Sequence, residues 1–212
     1  PESIRFRMER SDPNTCGSQY GSVCYDMAKR LSKDDWIKAG FKALTEAGPK
    51  ALKAEPLARR LGTTKGSFYW HFDDVPAFQT AMMETWETRA YAEIVTLVEQ
   101  QGTAVRKLRE LAQIAAAGAP EDFGGIAAEP SIRAWARENP DVAKAVAQID
   151  AKRMSYVQEL FEAVGLTNPE LTRVLYAAFV GMEELSTHDG QTNGPAMGTL
   201  VDLILALHEA DG

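Results

Sequence analysis

Residues 57–72 read LARRLGTTKGSFYWHF, and this stretch decides the fold of the chain around it. Leu57, Ala58 and Leu61 have the spacing of one apolar face of a short helix. Gly62 follows where such a helix should end, because glycine adopts the left-handed conformation without a Cβ clash. Thr63 or Thr64 can then cap a second short helix by accepting hydrogen bonds from its free N–H groups. The pattern predicts a helix-turn-helix.

The second helix of the motif opens with three small or polar residues, Lys65, Gly66 and Ser67. The N-terminal turn of a recognition helix is the part that meets base edges, and Lys65 and Ser67 carry donors there. Gly66 costs about 1 kcal/mol relative to alanine inside a helix. Its presence suggests that a phosphate or a base edge approaches the backbone closely.

A run of aromatic residues and a histidine ends the second helix. Phe68 and Phe72 are four residues apart, and we expect both to lie in the core. Neighbouring positions on one helix cannot all face inward, so some of Tyr69, Trp70 and His71 must point outward. Each of these three carries an N–H or O–H that can donate to a phosphate oxygen. A purely structural role for the whole run is the alternative.

These residues resemble the DNA-binding signature of the tetracycline repressor (TetR) family of bacterial transcriptional regulators, and the similarity spans about residues 32–84. The resemblance implies an all-α homodimer that binds double-stranded DNA at a palindromic operator, with a divergent C-terminal domain for a small-molecule effector. In the family, positions that match Lys65, Ser67, Tyr69, Trp70 and His71 contact DNA. Our candidate DNA-binding residues are Lys53, Thr64, Lys65, Gly66, Ser67, Tyr69, Trp70 and His71.

The sequence departs from the family pattern at two places. A basic residue commonly follows the His-Phe pair, whereas residues 73–75 are Asp-Asp-Val here. A threonine cap and an arginine are common at the front of the first motif helix, whereas residues 53–55 are Lys-Ala-Glu. We therefore expect some of the family's contacts to the DNA backbone to be missing.

Charge is distributed unevenly along the 212 residues, whose formal net charge is −7. Residues 29–72 contain ten Lys or Arg against four Asp or Glu, whereas residues 73–212 contain ten against 22. A basic module on an acidic body is typical of a protein that meets DNA at one end only. The acidic body also favours a neutral or cationic effector over an anionic one.

Other classes of function lack sequence support. Both cysteines, Cys16 and Cys24, lie in the first 28 residues, which excludes a thiolate metal site or a cysteine nucleophile in the rest of the chain. The three histidines lack metal-ligand spacing, and no P-loop, Rossmann or Gly-x-Ser-x-Gly motif occurs. We predict no cofactor, no metal and no enzymatic activity. The lack of a secretion signal or an apolar run of spanning length favours a cytoplasmic protein.

The remainder of the chain reads as successive helices without strand alternation. Ser32 and Asp35 resemble a capping box that starts a helix, and Pro76 suits the start of a long helix that runs to about residue 101, with or without a bend. Glu129-Pro130 is among the predicted helix breaks. We divide the chain into three parts: an N-terminal extension (1–28), which we expect to be flexible, a helix-turn-helix domain (29–75) and a ligand-binding and dimerisation domain (76–212).

The last two helices have apolar residues on more than one side, and the final one is apolar nearly all round. Such a helix must be buried on several sides, which a second copy of the pair would achieve by forming a four-helix bundle. The predicted dimer interface comprises Leu175, Phe179, Met182, Leu200, Leu203, Ile204 and Leu207.

Large aromatic or flexible side chains in the body indicate an apolar pocket, although each of them is also a common core residue. The predicted lining comprises Met83, Trp86, Phe123, Trp135, Met154 and Tyr156, with Arg153 or Tyr156 as its polar group. Two charged pairs are interpreted structurally. Asp150 and Arg153 have the spacing of an ion pair on one helix, and Glu183-Glu184 reads as a solvated helix face.

Two functions remain after this reading of the sequence. The first is a ligand-responsive, dimeric DNA-binding regulator that acts as a repressor. The second is a helical small-molecule-binding protein or enzyme whose helix-turn-helix-like motif is incidental. The dependence of DNA affinity on salt distinguishes the two, because only a regulator should bind duplex DNA with an affinity that falls steeply as salt rises.

Overall fold

A computed structural model describes residues 31–210, with side chains described up to residue 206. The predicted extension over residues 1–28 and the interface residue Leu207 lie outside these described residues. The fold is all-α, as predicted. The helices are α1 (Lys33–Ala47), α2 (Ala54–Arg60), α3 (Lys65–Tyr69), α4 (Val75–Glu87), α5 (Ile94–Val98), α6 (Ala104–Ala116), α7 (Ala128–Ala136), α8 (Pro140–Ala163), α9 (Pro169–Asp189) and α10 (Gly194–Ala210).

The predicted capping box at the start of α1 is confirmed. The Ser32 hydroxyl accepts from the backbone N–H of Asp35 at 3.2 Å, and the Ser32 N–H donates to the Asp35 carboxylate at 2.8 Å. Further along α1, Gly40 packs directly against α4. A Cβ at Gly40 would lie 2.6 Å from the Phe78 ring and 2.7 Å from the sulfur of Met82. A larger residue at Gly40 would therefore force these two buried side chains of α4 to move.

The long helix predicted after Pro76 is one continuous helical path with a local change of winding. Asp74 caps α4 by accepting from the N–H of Ala77 at 2.7 Å. After α4 the backbone forms a π-helical segment, Thr88–Glu93, and then continues as α5. Such π-segments are rare and are frequently found at functional sites.

The predicted break at Glu129-Pro130 is wrong, because both residues lie in the first turn of α7. Proline is tolerated there, since the first N–H groups of a helix have no intrahelical partner. Two short 3-10 turns, Glu121–Phe123 and Gly125–Ala127, lead into α7.

Two apolar clusters form the core of the described residues. The first begins under α1–α3 and continues without interruption through α4 to Ile132 and Trp135 of α7 and Ile149 of α8. The second joins α6, α8, α9 and α10. The domain boundary at residue 75 stays a prediction, and it is crossed by a continuous core. No helix in the described part of the chain is long and apolar enough to cross a membrane.

Candidate DNA-reading face and ligand cavity

The helix-turn-helix consists of α2, a four-residue turn and α3. Gly62 has a φ of 63° in this turn, which is the left-handed conformation that the sequence predicts. Of the two candidate caps, Thr64 is the N-cap of α3, and its hydroxyl accepts from the N–H of Ser67 at 3.4 Å. The turn and the cap fix the direction in which the short α3 leaves α2.

An aromatic cluster fixes α3 to the rest of the chain. Phe68 is fully buried and makes ring contacts with Trp36, Phe72 and Phe78, with centroid distances of 5.2 to 5.4 Å. Phe72 and Phe78 also contact each other at 5.0 Å. Such edge-on pairs stabilise a core beyond the burial of their area. Because Phe78 belongs to α4, the orientation of α3 is coupled directly to that helix.

The outward side of α3 carries the predicted DNA-binding residues. Tyr69 is 47% exposed and Trp70 is 82% exposed, whereas the preceding residue, Phe68, is fully buried in the core. Lys65 is exposed and its ammonium lies 5.8 Å from the Tyr69 ring. An exposed tryptophan beside a lysine on a rigid helix is typical of a binding surface. The remaining predicted positions are also accessible: Lys53, Thr64 and Gly66 are exposed, and Ser67 and His71 are partly so.

Gly66 has no structural reason to be glycine within the described residues. A Cβ at this position would meet only the Thr64 hydroxyl, at an ordinary contact distance of 3.6 Å. The space above the Gly66 backbone is thus open to a molecule from outside the chain.

A cavity of about 320 Å³ lies between the helices that follow the helix-turn-helix. Its wall is mostly apolar and is built from every helix between α4 and α10, together with Phe41 of α1 and the π-segment. A volume of about 300 Å³ is at the lower end of the range for small-molecule pockets, and mostly apolar walls are usual for them. Five charged residues are in its wall: Arg89 and Glu93 lie on the π-segment, and Glu129, Arg153 and Glu183 lie where α7, α8 and α9 meet.

A buried ion network occupies that meeting point. Glu129 of α7 accepts from both Arg133, at 2.8 Å, and Arg153 of α8, at 2.9 Å. Arg133 also forms a two-pronged pair with Asp150, at 2.7 and 3.1 Å. The Tyr176 hydroxyl donates to Asp150 at 2.7 Å. The two arginines and two carboxylates thus balance each other in charge, and each charge is hydrogen-bonded, as burial requires.

The environment shifts the pKa values of this network in the expected directions. Burial opposes the charged form of Glu129, but the two arginines hold the pKa of that carboxyl below its usual value. The same balance, with Arg133 and Tyr176 as donors, lowers the pKa of Asp150. Burial raises the pKa of Tyr176 to about 12. The four charged groups therefore stay charged, and Tyr176 stays neutral, near neutral pH.

Arg153 connects this network to the π-segment. Its Nε donates to the backbone oxygen of Ala90 at 3.1 Å, and its guanidinium lies 5.8 Å from the Trp86 ring. The indole N–H of Trp86 donates to Glu129 at 3.2 Å. Trp86 at the end of α4 and Ala90 of the π-segment are therefore both hydrogen-bonded to the ion network.

A further ionisable group, Glu183 of α9, lies in the cavity wall without a counter-ion among the described residues. It is 4% exposed, its hydrogen-bond partner is Asn193, and it forms no ion pair with any described residue. Burial and the charge of Glu129 raise its pKa to about 7, against the weaker pull of Arg153 and Arg133 in the other direction. The charge of Glu183 therefore changes near neutral pH.

Residues 37–74 match the sequence family described as bacterial regulatory proteins, tetR family. This match covers α1 from Ile37, both motif helices and the cap of α4. The chain carries a TetR-family helix-turn-helix domain. The resemblance that the motif suggested is therefore confirmed, and α3 occupies the second-helix position of the motif. No match is found among curated protein sequences.

Solved structures with the same fold extend the similarity beyond the TetR-family domain. A protein from Rhodococcus sp., assigned to the TetR family of transcriptional regulators, has a TM-score of 0.63 at 20% identity, covering 81% of this chain and 95% of its own. The fatty acid degradation regulator FadR from Bacillus halodurans has a TM-score of 0.66 at 13% identity, covering 82% and 94%. The multidrug binding protein EbrR, in complex with imidazole, has a TM-score of 0.52 at 17% identity, covering 80% and 92%. At these identities the similarity concerns the fold.

The cavity brings together three of the six residues predicted to line a pocket. Trp86, Phe123 and Tyr156 are in its wall. The Tyr156 hydroxyl donates to Glu99 at 2.7 Å, and burial followed by that bond raises the pKa of the tyrosine. Of the other three, Met83 and Trp135 are buried in the first core cluster, and Met154 lies on α8 away from the wall.

Both structural interpretations of charged pairs need correction. Asp150 and Arg153 do not pair with each other, because each turns to a partner on α7, Arg133 and Glu129 respectively. Glu183 is not on a solvated face, whereas its neighbour Glu184 is exposed.

Glu129 and Glu183 are not among the predicted site residues, although the helical period of the sequence places both on buried sides of their helices. Glu183 is eight residues after Leu175 and three before Ser186, so it falls on the buried side of α9. Glu129 precedes the buried Ile132 by three residues and therefore shares the buried side of α7.

The predicted dimer residues fall into three groups. Leu175 and Ile204 are buried inside the second core cluster, and Phe179, Met182 and Leu200 pack partly against it. Leu203 is 58% exposed, and on α9 two residues outside the prediction, Val174 and Leu185, are 53% and 60% exposed. Large apolar side chains thus remain uncovered on both terminal helices.

Proposed function

We propose that this protein is a dimeric transcriptional repressor that leaves a palindromic operator when a small molecule enters its cavity. The observation that carries the proposal is the outward side of α3, where Lys65, Tyr69 and Trp70 stand exposed on a helix anchored by Phe68. In this proposal the helix-turn-helix domain spans residues 29–75, and the ligand-binding and dimerisation domain spans residues 76–212.

The proposed reading contacts follow from the position of each side chain. Lys65 is at the N-terminal turn of α3, where it can reach a base edge or a phosphate. Tyr69 and Trp70 at the other end of α3 are suited to donate to phosphates. The open space above Gly66 allows the DNA backbone or a base edge to come close.

The proposed effector site is the 320 Å³ cavity, and α4 is its route to the DNA-reading face. Trp86 near the end of α4 is in the cavity wall, whereas Phe78 near its start contacts the α3 ring cluster. A ligand that shifts Trp86 or the π-segment would therefore move the support of α3. The ligand acts only if it binds more tightly to the arrangement that fits DNA poorly. EbrR, which shares the fold, is a multidrug binding protein crystallised with imidazole.

Dimerisation is proposed through α9 and α10. Val174, Leu185 and Leu203 are each more than half exposed, and burying a leucine or valine contributes roughly 1.5–3 kcal/mol. A two-fold axis through these helices would give one reading helix per subunit. The two helices would then meet half-sites about 34–36 Å apart, or a multiple of this distance.

The test is the affinity for duplex DNA carrying a selected site, measured by fluorescence anisotropy over a series of salt concentrations. We expect log affinity to fall linearly with log salt, with a slope of about −0.9 for each phosphate contacted. Lys65→Ala should lower affinity by about 1–3 kcal/mol if the lysine reads a base.

Lys144→Ala, which removes an exposed lysine on α8 outside the motif, is the control and should bind as the wild type does. Absence of DNA binding by the wild type would favour the alternative, a helical small-molecule-binding protein or enzyme with an incidental motif. Wild-type affinity in a folded Lys65→Ala variant would refute the assignment of that residue.

A further inference from the structure

The charges in the cavity wall indicate which chemical class of effector the cavity can bind. The network of Glu129, Arg133, Asp150 and Arg153 balances within itself, since every acidic group pairs with an arginine. All three nitrogens of the Arg153 guanidinium are engaged, by Glu129 and by the Ala90 carbonyl. The positive charge of Arg153 is therefore already paired with Glu129 and is not free for an anionic ligand.

Glu183 is the group that this balance leaves out. It lies in the wall on α9, 4% exposed, and its described hydrogen-bond partner, Asn193, is neutral. A buried carboxylate without a cation is costly, and the cost falls when a ligand supplies the missing charge. Glu183 is therefore a place in the cavity wall where a positive group is stabilised.

Aromatic rings surround the same end of the cavity. Phe179 is one helical turn before Glu183, and its ring lies 5.9 Å from that of Tyr176. Both rings are in the cavity wall. The faces of aromatic rings attract cations, most strongly where water is excluded, and the Phe179 ring already lies 5.5 Å from the Arg153 guanidinium. Most of the remaining wall, including Leu108, Leu111 and Met197, is apolar.

We propose that the cavity binds an organic cation, an ammonium or amidinium group on an apolar body, with Glu183 as its counter-ion. The nitrogen donates to the Glu183 carboxylate, and the apolar body fills the space towards α5 and α6. This inference rests on the proposed function only in taking the cavity as the effector site. The binding itself requires no DNA.

The test compares two probes that share one body, 4-phenylbutylamine and 4-phenylbutan-1-ol, by isothermal titration calorimetry at about pH 8. Wild-type protein should bind the amine at least about tenfold more tightly than the alcohol, because hydrogen bonds to charged groups are stronger than neutral ones. Glu183→Gln should reduce this preference to less than about threefold. Glu183→Leu provides a second uncharged variant with the same expected loss.

Glu93→Gln is the matched control, since Glu93 is the other carboxylate of the cavity wall that lies outside the ion network. Glu93 is half exposed and pairs with Arg89 at 3.8 Å, so its variant should keep the preference for the amine. The proposal is overturned if the wild type binds neither probe or shows no preference. Retention of the preference in both Glu183 variants, or its loss in Glu93→Gln, would also overturn it.

Measuring DNA affinity on the same samples separates this inference from the proposed function. The DNA affinity of the wild type is measured in the absence of probe, so that DNA binding and amine preference are scored independently. A wild type that prefers the amine but ignores DNA would refute the regulator and leave the cation site standing. A wild type that binds DNA without any preference for the amine would do the reverse.

Discussion

Replacing Glu183 by glutamine should stabilise the protein above neutral pH and change its stability little in mild acid. Burial and the nearby Glu129 raise the pKa of the folded Glu183 carboxyl from 4.5 to about 7. In the unfolded chain the carboxyl regains its ordinary pKa. As pH rises between these two values, the unfolded state loses its proton first, and the folded state becomes less stable relative to it.

The size of the effect follows from the two pKa values. One pH unit of difference corresponds to about 1.4 kcal/mol. The rise from 4.5 to about 7 therefore lowers the free energy of unfolding by about 3 kcal/mol above neutral pH. Glutamine has nearly the same shape and carries no charge at any pH. Its advantage over glutamate should be below about 1 kcal/mol at about pH 5 and about 3 kcal/mol at about pH 8.

The assay is urea unfolding followed by circular dichroism at these two pH values. Protein concentration must be held constant, because dimerisation would make stability depend on it. Glu184→Gln is the matched control, since this neighbouring glutamate is exposed and should show a difference within about 0.5 kcal/mol at both pH values. An equal effect of Glu183→Gln at both pH values, or destabilisation at about pH 8, would refute the reasoning.

Three further substitutions test other parts of the structure. Gly66→Ala should raise the free energy of unfolding by about 0.5–1 kcal/mol, because the added methyl group fits the fold. The same methyl group fills the open space above α3 and should weaken DNA binding, which urea unfolding and fluorescence anisotropy together check. Gly40→Ala should destabilise the protein by about 1–3 kcal/mol in urea unfolding, because its Cβ would lie 2.6 Å from Phe78; unchanged stability would count against the packing of α1 on α4. Leu203→Glu should shift the protein from dimer to monomer in sedimentation velocity, because it places a charge among the exposed apolar residues of α9 and α10. The control Asp202→Ser, on the same helix, should leave the dimer intact.

The helix-turn-helix could be predicted in detail because its determinants are local. The spacing from Leu57 to Leu61, the left-handed Gly62 and a threonine cap act within a few residues of one another. The inward position of Phe68 and the outward position of Trp70 follow from helical geometry alone. Only the choice of Thr64 over Thr63 as the cap required the structure.

The cavity could be predicted in part, because its lining depends on which helices meet. Trp86 and Trp135 are both large aromatic residues on helices, yet one lines the cavity and the other fills the core. Nothing in the local sequence distinguishes them. The apolar period of α10 has the same ambiguity, since it does not reveal that Ile204 is covered within the chain while Leu203 is exposed.

The ion network could not be predicted from the spacing of residues along the sequence. Asp150 and Arg153 are three residues apart and suited to pair, but α7 offers each a better partner across the helix interface. Arg133 binds Asp150 through two parallel hydrogen bonds, a geometry that a pair on one helix does not provide as readily. The contacts between α7 and α8 form instead of the ion pair within α8, because every buried charge needs hydrogen-bond partners.

Selection of binding sites from a library of random duplex DNA tests the central claim most directly. The account predicts enrichment of an inverted repeat whose half-site centres are about 34–36 Å, or a multiple of this distance, apart along the duplex. The Lys65→Ala variant should enrich this repeat weakly or with relaxed specificity at one position of each half-site. Recovery of no shared sequence by the wild type, or of a single asymmetric site, would contradict the account.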